Sequence, residues 1–378
     1  MKILFLSHGR TYEDQIGYRE AFIKAKSEGV PVECIELPFL GYAEKHGWKG
    51  FYSEILRIND EWKPDVIFFQ FFHGGKIYSP SCCITRLKKS KNIPVIIGSQ
   101  GDLFDVKMLG AWRRRPEPAM IDLAVGADAF FSTSMGDFAD FLAKKGVRNV
   151  IFLPHAFSAP HFNNIDMNRL QPKLQKIAMV GSIGLSYRRP LGTFFHAFNR
   201  ISVAKALWKK YGNEFALYGN GWHHKACRGP IAFRDQVKVF RSSKCVVDSP
   251  PPINEVYYAS DRPFFIAGSG APLVQFYTPR FETVLRDGEH IHFVRKGESV
   301  CNVCKNILQI SQEELDDIGM RTRAFIMERH TVENRVDTIL SVVERLRGRS
   351  SQLRLWHFLP EINVESELKF AGRNLTIC

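Results

Sequence analysis

Short, continuous apolar runs alternate with helical segments along the chain, and this alternation constrains the fold more than any other feature. Three of the runs are "PDVIFFQFF" (64–72), "IPVIIGSQ" (93–100) and "ADAFFSTS" (127–134). A strand whose sequence has no polar side must be covered on both of its faces. The pattern therefore predicts an α/β protein built on a doubly wound parallel sheet.

The strand segments fall into two series. The first also contains "KILFLS", "PVECIEL" and "NVIFLPHA", and the second consists of "KIAMVGS", "EFALYGNGW", "KCVVDSP", "PLVQF" and "HIHFV". A chain of 378 residues is longer than one hydrophobic core usually serves. We expect two Rossmann-like domains facing a cleft, with ligands beyond the carboxyl ends of the strands.

A segment rich in Pro, Asn and Ser, "FSAPHFNNIDMNRLQPKLQ", separates the two series. It predicts an N-terminal Rossmann-like domain over residues 1–160, a linker over 161–175 and a C-terminal Rossmann-like domain over 176–345. Residues 346–378 are the predicted tail. Their stretch "SSQLRLWHFLPEI" either docks on a membrane or packs back on the first domain.

The net charge of the chain favours anionic partners. It is +13, with a pI of about 9.4, so nucleic acid, phosphorylated small molecules and an anionic membrane surface all fit. No apolar run reaches the roughly 18 residues of a spanning helix, and "MKILFLSHG" lacks a signal-peptide core. We expect a cytoplasmic protein, peripheral to the inner membrane face if it meets lipid.

Eight scattered cysteines are typical of a reduced compartment. The pair in "CNVC" (301–304) lacks a second pair of ligands, so we expect no zinc site. The segment "GDLFD" is not a metal-binding acidic triplet, and a helix dipole with two arginines can neutralise a leaving diphosphate, so we expect no metal requirement.

The loop after the first strand of the second series has the features of a phosphate-binding turn. In "KIAMVGSIGLSYRRPL" (176–191), Gly181 and Ser182 follow the strand, and Arg188 and Arg189 precede a helix. Glycines allow close backbone approach, a helix N-terminus attracts anions, and guanidinium groups fork onto phosphate oxygens. The alternative is a glycine-rich turn whose arginines face solvent.

Two later loops are predicted to reach the same sheet edge. In "LYGNGW" (217–222), Gly219 and Asn220 leave room for a nucleoside that Trp222 would cover, or else they form a tight turn beside a core tryptophan. In "YYASDRPFFIAGSGAPLVQF" (257–276), a helix begins near Asp261 and Arg262.

The ordered set "FLPHAF", "MVGSIGLSYRR", "ALYGNGW", "DRPFFIAGSGAPLVQF", "LRDGEHIHFV" and "IMERHTVENRV" resembles the GT-B glycosyltransferases. More narrowly, it resembles spore-protein-type enzymes with a family 1-like C-terminal domain. The resemblance implies a nucleotide-sugar donor on the second domain and an acceptor on the first. It places Gly181, Ser182 and Arg188 or Arg189 on the diphosphate loop.

The same resemblance implies further donor contacts. Residues 219–222 fall beside the nucleoside, and the segment from Asp261 through Arg262 and Gly270 to Ala271 closes over the ribose and sugar. Relatives carry a spaced glutamate pair where this chain has Tyr257 and Phe265. Ribose binding then uses Glu255, Asp261 or the main chain, or the donor is unusual, or the chain has lost activity.

Loops of the first series supply the candidates for catalysis. Similar enzymes use the loop matching "SQGD" to touch the sugar or acceptor, so Asp102 is the leading candidate for general base, followed by His73 and His155. Each histidine could instead be a structural, hydrogen-bonded residue. The remaining acceptor-side residues are Gly9, Arg10 and Gln100.

These features predict a metal-independent glycosyltransferase that uses a nucleotide-diphosphate sugar, with a UDP-sugar expected and no separate cofactor. The expected acceptor is a surface glycan or a lipid-linked glycan. The alternatives are a phage-type DNA-base glycosyltransferase and an inactive protein that binds nucleotide sugars or glycans. An epimerase of the same fold is a further alternative.

We predict that replacing Arg188 and Arg189 together by alanine lowers turnover of the nucleotide sugar at least about tenfold. The reason is the loss of charge-assisted contacts of roughly 1.5–3 kcal/mol to the leaving diphosphate. Steady-state release of the nucleotide measures the effect. Unchanged turnover would refute the assignment of this loop.

Overall fold

The computed structural model describes residues 1–72, 79–100, 118–162, 166, 172–183, 190–248 and 255–348. The chain divides into two compact units. Unit 1 contains the described residues of 1–154 and of 332–348, and unit 2 contains those of His155–Thr331.

Strands and helices alternate through unit 1. In chain order the elements are β1 (Lys2–Ser7), α1 (Ile16–Ser27), β2 (Glu33–Pro38), α2 (Phe39–Trp62), β3 (Val66–Phe69), α3 (Ser81–Lys88), β4 (Val95–Ser99), α4 (Pro118–Gly126), β5 (Ala129–Ser132), α5 (Asp137–Lys144) and β6 (Val150–Phe152). Gly47 interrupts α2 with a φ of 70° and kinks it.

The same alternation continues through unit 2. Its elements are β7 (Gln175–Val180), α6 (Pro190–Tyr211), β8 (Phe215–Tyr218), α7 (Gln236–Arg241), β9 (Ser243–Val247), α8 (Arg262–Gly268), β10 (Leu273–Phe276), β11 (His292–Val294), α9 (Val300–Leu308) and α10 (Gln312–Arg329). The last described helix, α11 (Val332–Leu346), returns to unit 1. Each of the eleven strand segments predicted from the sequence lies on a strand.

Parallel pairing organises both sheets. In the described part of unit 1 the strand order is β2-β1-β3-β4-β5-β6, and in that of unit 2 it is β11-β10-β9-β7-β8. All of these strand pairs are parallel. The predicted fold class, with two parallel α/β domains, is therefore confirmed.

Both faces of the first sheet are covered, as the continuous apolar runs predict. Every residue of β3 is buried, from Val66 to Phe69. Phe51 and Ile55 of α2 pack in the core on one face, while Phe22 of α1 contacts Phe5 at a ring distance of 5.6 Å. Burial of these strands supplies most of the driving force for unit 1.

The final helix belongs to unit 1, whereas the sequence placed it in the C-terminal domain. α11 packs against α1, and the fully buried Arg335 donates from Nε to the carbonyl oxygen of Pro154 at 2.8 Å. Burial lowers the pKa of Arg335 to about 9 and raises that of Tyr18 to about 12. The Arg335 guanidinium has a hydrogen-bond acceptor in unit 1, and this contact holds α11 in that unit.

The predicted linker also differs from the structure. Unit 2 begins at His155, and Phe157 N donates to His330 O at 2.8 Å within that unit. The described residues of 161–175 thus belong to unit 2 rather than to a free connection. The tail is described only as far as Gly348, so docking of "SSQLRLWHFLPEI" lies outside the described residues.

None of the helices in the described ranges is both long enough and apolar enough to cross a membrane.

We predict that unit 2 loses stability on acidification. Burial lowers the pKa of His224, His290 and His292, all in unit 2. The unfolded chain therefore takes up protons first as the pH falls through about 6.5, and the folded unit resists protonation. Each histidine contributes at most about 1.4 kcal/mol per pH unit to the loss.

Urea denaturation at several pH values measures this effect. His290 stacks on Phe325 at 4.0 Å and accepts at Nδ1 from Arg286 N, so His290→Gln should flatten the pH dependence. His223 is exposed, so His223→Gln is the matched control for the substitution itself. Equal slopes in both variants would contradict the prediction.

Candidate functional site

The loops after β7 and β8 are joined along their length. Gly181 N donates to Tyr218 O at 2.9 Å, Ile183 N donates to Asn220 O at 2.8 Å, and Asn220 N donates to Ser182 Oγ at 3.0 Å. We call residues 181–183 and 219–222 the loop clasp. The structure therefore brings together two of the loops that the sequence predicts at the donor site.

Two glycines of the loop clasp are required by this contact. A Cβ on Gly219 would lie 2.3 Å from Gly181 O, and one on Gly221 would lie 2.2 Å from Ile183 O. Their φ values are 144° and 80°, a region that side chains disfavour. Packing between the two loops therefore explains both glycines without a bound nucleoside. This agrees with the tight-turn alternative for this loop.

Trp222 is also held within the loop clasp. Its indole Nε1 donates to Gly181 O at 2.6 Å, and the side chain is half-buried. Arg200 of α6 donates to Ser182 O, also at 2.6 Å. Arg188 and Arg189, the predicted diphosphate ligands, lie outside the described residues.

An ion pair that the sequence did not single out lies at the carboxyl end of β9. Asp248 follows the strand directly, and its Oδ1 is 2.8 Å from Arg262 Nη1. The Asp248 side chain is only 5% exposed. Removing one partner of such a buried pair typically costs 3–5 kcal/mol. Arg262, a predicted donor ligand, therefore serves to fix the start of α8.

Strained backbone marks the loops after β9 and β10. Tyr257 and Arg280 adopt φ values of 64° and 63°, which cost about 1–3 kcal/mol each for residues other than glycine. Tyr257 N donates to Pro279 O at 2.9 Å, and Arg280 Nη1 lies 3.3 Å from Tyr257 Oη. These contacts hold the two loops together, and strain of this kind concentrates at functional sites.

Two further donor candidates, Glu255 and Asp261, lie in the loop before α8. Glu255 is buried and its carbonyl accepts from Tyr258 N, while Asp261 precedes α8 and its carbonyl accepts from Phe264 N. Both stand between the carboxyl end of β9 and the start of α8. Their role as donor ligands remains a prediction.

Gly270 and Ala271 lie at the amino edge of the sheet, directly before β10, and their role as donor ligands remains a prediction. α8 runs from the carboxyl edge to the amino edge, and both residues directly precede β10. A Cβ on Gly319 of α10 would be 2.1 Å from Gly270 O. Arg241 and Arg323 donate to the carbonyls of Ser269 and Gly268 and cap this end of α8.

Phe265, which stands in place of the family glutamate, belongs to an aromatic cluster. Its ring lies 5.2 Å from Phe233, 5.7 Å from Phe162 and 6.4 Å from Phe157. A carboxylate among these rings would be buried without a partner. The surrounding aromatic side chains therefore favour phenylalanine over glutamate at position 265.

The loop after β1 is fastened to the start of α2. Gly9 O accepts from Leu40 N and Gly41 N at 3.0 and 3.2 Å. The exposed Arg10 pairs with Glu44, with 2.8 Å between Nε and Oε1. The ion pair with Glu44 therefore explains the position of the Arg10 side chain without a bound ligand.

The remaining candidates of the first series are partly described. Gln100 is buried, and its N–H donates to Phe131 O at 2.9 Å. His155 is half-buried at the start of unit 2. Asp102 and His73 lie outside the described residues. In the described ranges no group of three or more His, Cys, Asp or Glu side chains is arranged to hold a metal ion.

Sequence reasoning missed Asp248 and His8, although one signal marks both. Each directly follows a buried strand, after Val247 and Ser7 respectively. Polar residues at that position lie on the ligand edge of a parallel sheet. Arg200 had no such signal, because it lies inside a helix.

Comparison with known proteins agrees with this architecture. Residues 199–341 match the family described as glycosyl transferase-like. No curated protein sequence matches the chain.

Solved structures share the fold at low identity. Sucrose-phosphate synthase (tll1590) from Thermosynechococcus elongatus is 12% identical with a TM-score of 0.59, covering 93% of this chain and 100% of that one. Anabaena Alr3699/HepE, solved in complex with UDP, is 12% identical with a TM-score of 0.56, covering 91% and 100%. A putative UDP-N-acetylglucosamine 2-epimerase from Listeria monocytogenes is 11% identical with a TM-score of 0.54, covering 93% and 98%.

Together these findings define the fold. The chain has the GT-B fold, and its residues 199–341 match the sequence pattern described as glycosyl transferase-like. The predicted resemblance to GT-B glycosyltransferases is therefore confirmed.

We predict that Gly219→Ala destabilises unit 2 by about 1–3 kcal/mol more than Gly229→Ala does. Both glycines have positive φ, at 144° and 95°, but an added Cβ meets nothing within 4 Å at Gly229. The φ penalty alone is about 1–2 kcal/mol, and overpacking adds roughly 1–3 kcal/mol. Urea denaturation of both variants measures the difference in the free energy of unfolding. Equal losses would contradict the prediction, because they would show that the loop clasp accommodates the added methyl group without strain.

Proposed function

We propose that the chain is a glycosyltransferase that moves a sugar from a nucleotide-diphosphate sugar to an acceptor hydroxyl. The observation that carries the proposal is the family match over residues 199–341. This region contains the 219–222 half of the loop clasp, the Asp248–Arg262 pair and the strained Tyr257 and Arg280. The matched region thus includes residues at the carboxyl edge, where ligands of parallel sheets bind, and this supports the proposal.

The unit 2 sheet reverses its strand order at β7, which lies between β8 and β9. Ligands of open α/β sheets bind at such a switch point. Here Gly181 and Ser182 follow β7 and Asp248 follows β9. The Ser182 hydroxyl accepts from Asn220 N, so its own O–H remains able to donate to a ligand. These residues, with Arg188 or Arg189, are the proposed diphosphate site.

The catalytic contribution of this site is electrostatic. As the anomeric bond breaks, negative charge grows on the leaving diphosphate, and fixed donors stabilise that charge more in the transition state than in the ground state. The net charge of +13 favours entry of such an anionic donor. We propose that this occurs without a metal ion, so that a chelator leaves the rate unchanged.

A UDP-sugar is the proposed donor. Alr3699/HepE, which shares the fold, was solved with UDP bound. With Phe265 in an aromatic cluster, Glu255 or Asp261 is the proposed ribose ligand. The proposed acceptor on unit 1 is a surface or lipid-linked glycan, reached in the cytoplasm or at the inner membrane face.

The alternatives remain distinguishable by experiment. A DNA-base glycosyltransferase would bind duplex DNA tightly at low salt and weakly at high salt. A gel-shift titration at two salt concentrations tests this, and absence of binding at low salt removes that alternative. An inactive binding protein would take up the nucleotide sugar without releasing any nucleotide above background.

We predict that UDP raises the melting temperature of the chain more than ADP or GDP does. A ligand at 100 times its dissociation constant adds about 2.7 kcal/mol to the free energy of unfolding. Thermal denaturation with each nucleotide measures the shift, and release of UDP from a panel of UDP-sugars measures turnover. If no nucleotide diphosphate stabilises the chain and no nucleotide sugar is consumed, the proposed function is wrong.

A further inference from the structure

The loops at the amino edge of the unit 1 sheet form one connected surface. β3, β4, β5 and β6 are parallel neighbours, so the loops that precede them lie side by side. Asn92 Nδ2 donates to Pro64 O at 2.9 Å. Asp128 bonds to the loops on either side, because its Oδ2 accepts from Ile96 N at 2.8 Å and its carbonyl accepts from Asn149 Nδ2 at 2.7 Å. We define the amino-edge surface as residues 63–65, 88–94, 127–128 and 144–149.

The amino-edge surface carries a concentrated positive charge. It contains seven basic residues and two acidic ones. Both carboxylates already have basic partners, since Asp65 lies 2.7 Å from Arg347 and Asp128 lies 3.8 Å from Lys88. The other six basic side chains are exposed, and none of them forms an ion pair with a described residue; they are Lys63, Lys89, Lys91, Lys144, Lys145 and Arg148.

Helix dipoles explain only part of this charge. Lys63, Lys89 and Lys145 directly follow α2, α3 and α5, and cations stabilise the C-terminal ends of helices. Lys91 and Arg148 lie in the loops beyond these ends. Their positive charge therefore remains without a partner within the fold.

An exposed apolar side chain stands among the basic residues. Ile93 is 66% exposed, and the loop that carries it is fixed by the bond from Asn92 to Pro64. At an anionic bilayer, basic side chains meet the headgroup phosphates while apolar ones enter the boundary with the acyl chains. The backbone of a nucleic acid offers no such apolar region. Ile93 therefore favours a lipid surface over a nucleic acid.

The chain also leaves the described structure at this edge. Arg347 pairs with Asp65, and Gly348 is the last described residue. The apolar stretch "LRLWHFL" (353–359), which itself lies outside the described residues, begins five positions later. At about 3.5 Å per residue, its start lies within about 18 Å of Gly348. Tryptophan is enriched at membrane interfaces, so this composition also fits a lipid partner near the amino-edge surface.

We propose that the amino-edge surface docks unit 1 on an anionic lipid bilayer. Each lysine or arginine near such a bilayer strengthens binding about fivefold, so the six exposed basic residues are enough for measurable attachment. The proposal stands apart from sugar transfer, because ligands of a parallel sheet bind at the carboxyl ends of the strands. Docking by the amino ends leaves that other edge of the same sheet accessible.

Sedimentation of the full chain with lipid vesicles tests the charge. The wild type should bind vesicles of equal parts phosphatidylcholine and phosphatidylglycerol, but not phosphatidylcholine alone. The double variant Lys89→Gln/Lys91→Gln should bind about 25-fold more weakly. The difference should vanish at about 1 M salt, where the Debye length is about 3 Å. If the wild type does not sediment with the anionic vesicles, the proposal is wrong.

A double variant of unit 2 provides the matched control. Lys209→Gln/Lys210→Gln removes the same charge from two exposed lysines in the last turn of α6. It should bind the anionic vesicles as the wild type does. Equal losses in the two double variants would show that net charge alone drives binding, and would overturn the assignment to the amino-edge surface.

The apolar contact has its own pair of variants. Ile93→Ser should weaken vesicle binding severalfold at low and at high salt, because salt does not screen apolar burial. Leu174→Ser is the control, since Leu174 is an 81% exposed apolar residue of unit 2, and it should bind as the wild type does. Losses in both variants, or in neither, would overturn the role of Ile93.

Two further measurements separate this proposal from its alternative and from the proposed function. If the wild type shifts duplex DNA in a gel but does not bind anionic vesicles, the amino-edge surface serves a nucleic acid and the lipid proposal is wrong. The Lys89→Gln/Lys91→Gln variant should keep the wild-type shift in melting temperature with UDP. Failure of vesicle binding therefore leaves the proposed function untouched, and absence of a UDP shift leaves the docking surface untouched.

Discussion

Parallel pairing of strands is the constraint on which the rest of the structure depends. In the described sheets every strand points the same way as its neighbours, so all carboxyl ends of one sheet reach one edge. Residues far apart in the chain, such as Ser182 and Asn220 or His8 and Gln70, meet there as a result. A polar site at this edge follows from topology, because the strands themselves are too apolar to carry one.

The loops at these edges are bonded to each other as well as to their strands. The loop clasp joins the ends of β7 and β8, and Tyr257 N bonds to Pro279 O between the ends of β9 and β10. In unit 1, His8 N after β1 donates to the Gln70 side chain after β3. Such bonds limit the conformations of segments that would otherwise move. A site built this way loses less entropy when a ligand orders it.

Charged and amide groups beneath the loops are buried with partners. Asp248 pairs with Arg262, Arg335 bonds to Pro154, and the Gln70 amide bonds to His8 N and to the Gln15 side chain. Burying these groups costs free energy that apolar residues would not cost. The bonds to these partners fix the positions of the start of α8, of helix α11 and of the His8 main chain.

The sequence by itself determined the strands, the parallel α/β class and the position of the main loops, because apolar runs and glycines are local signals. It could not assign α11 to unit 1, since the partners of Arg335 are distant in sequence. Nor could it place Gly270 at the amino edge, or show that Gly219 is needed for loop contact rather than for a ligand. Those matters depend on which segments meet in space, and only tertiary packing decides that.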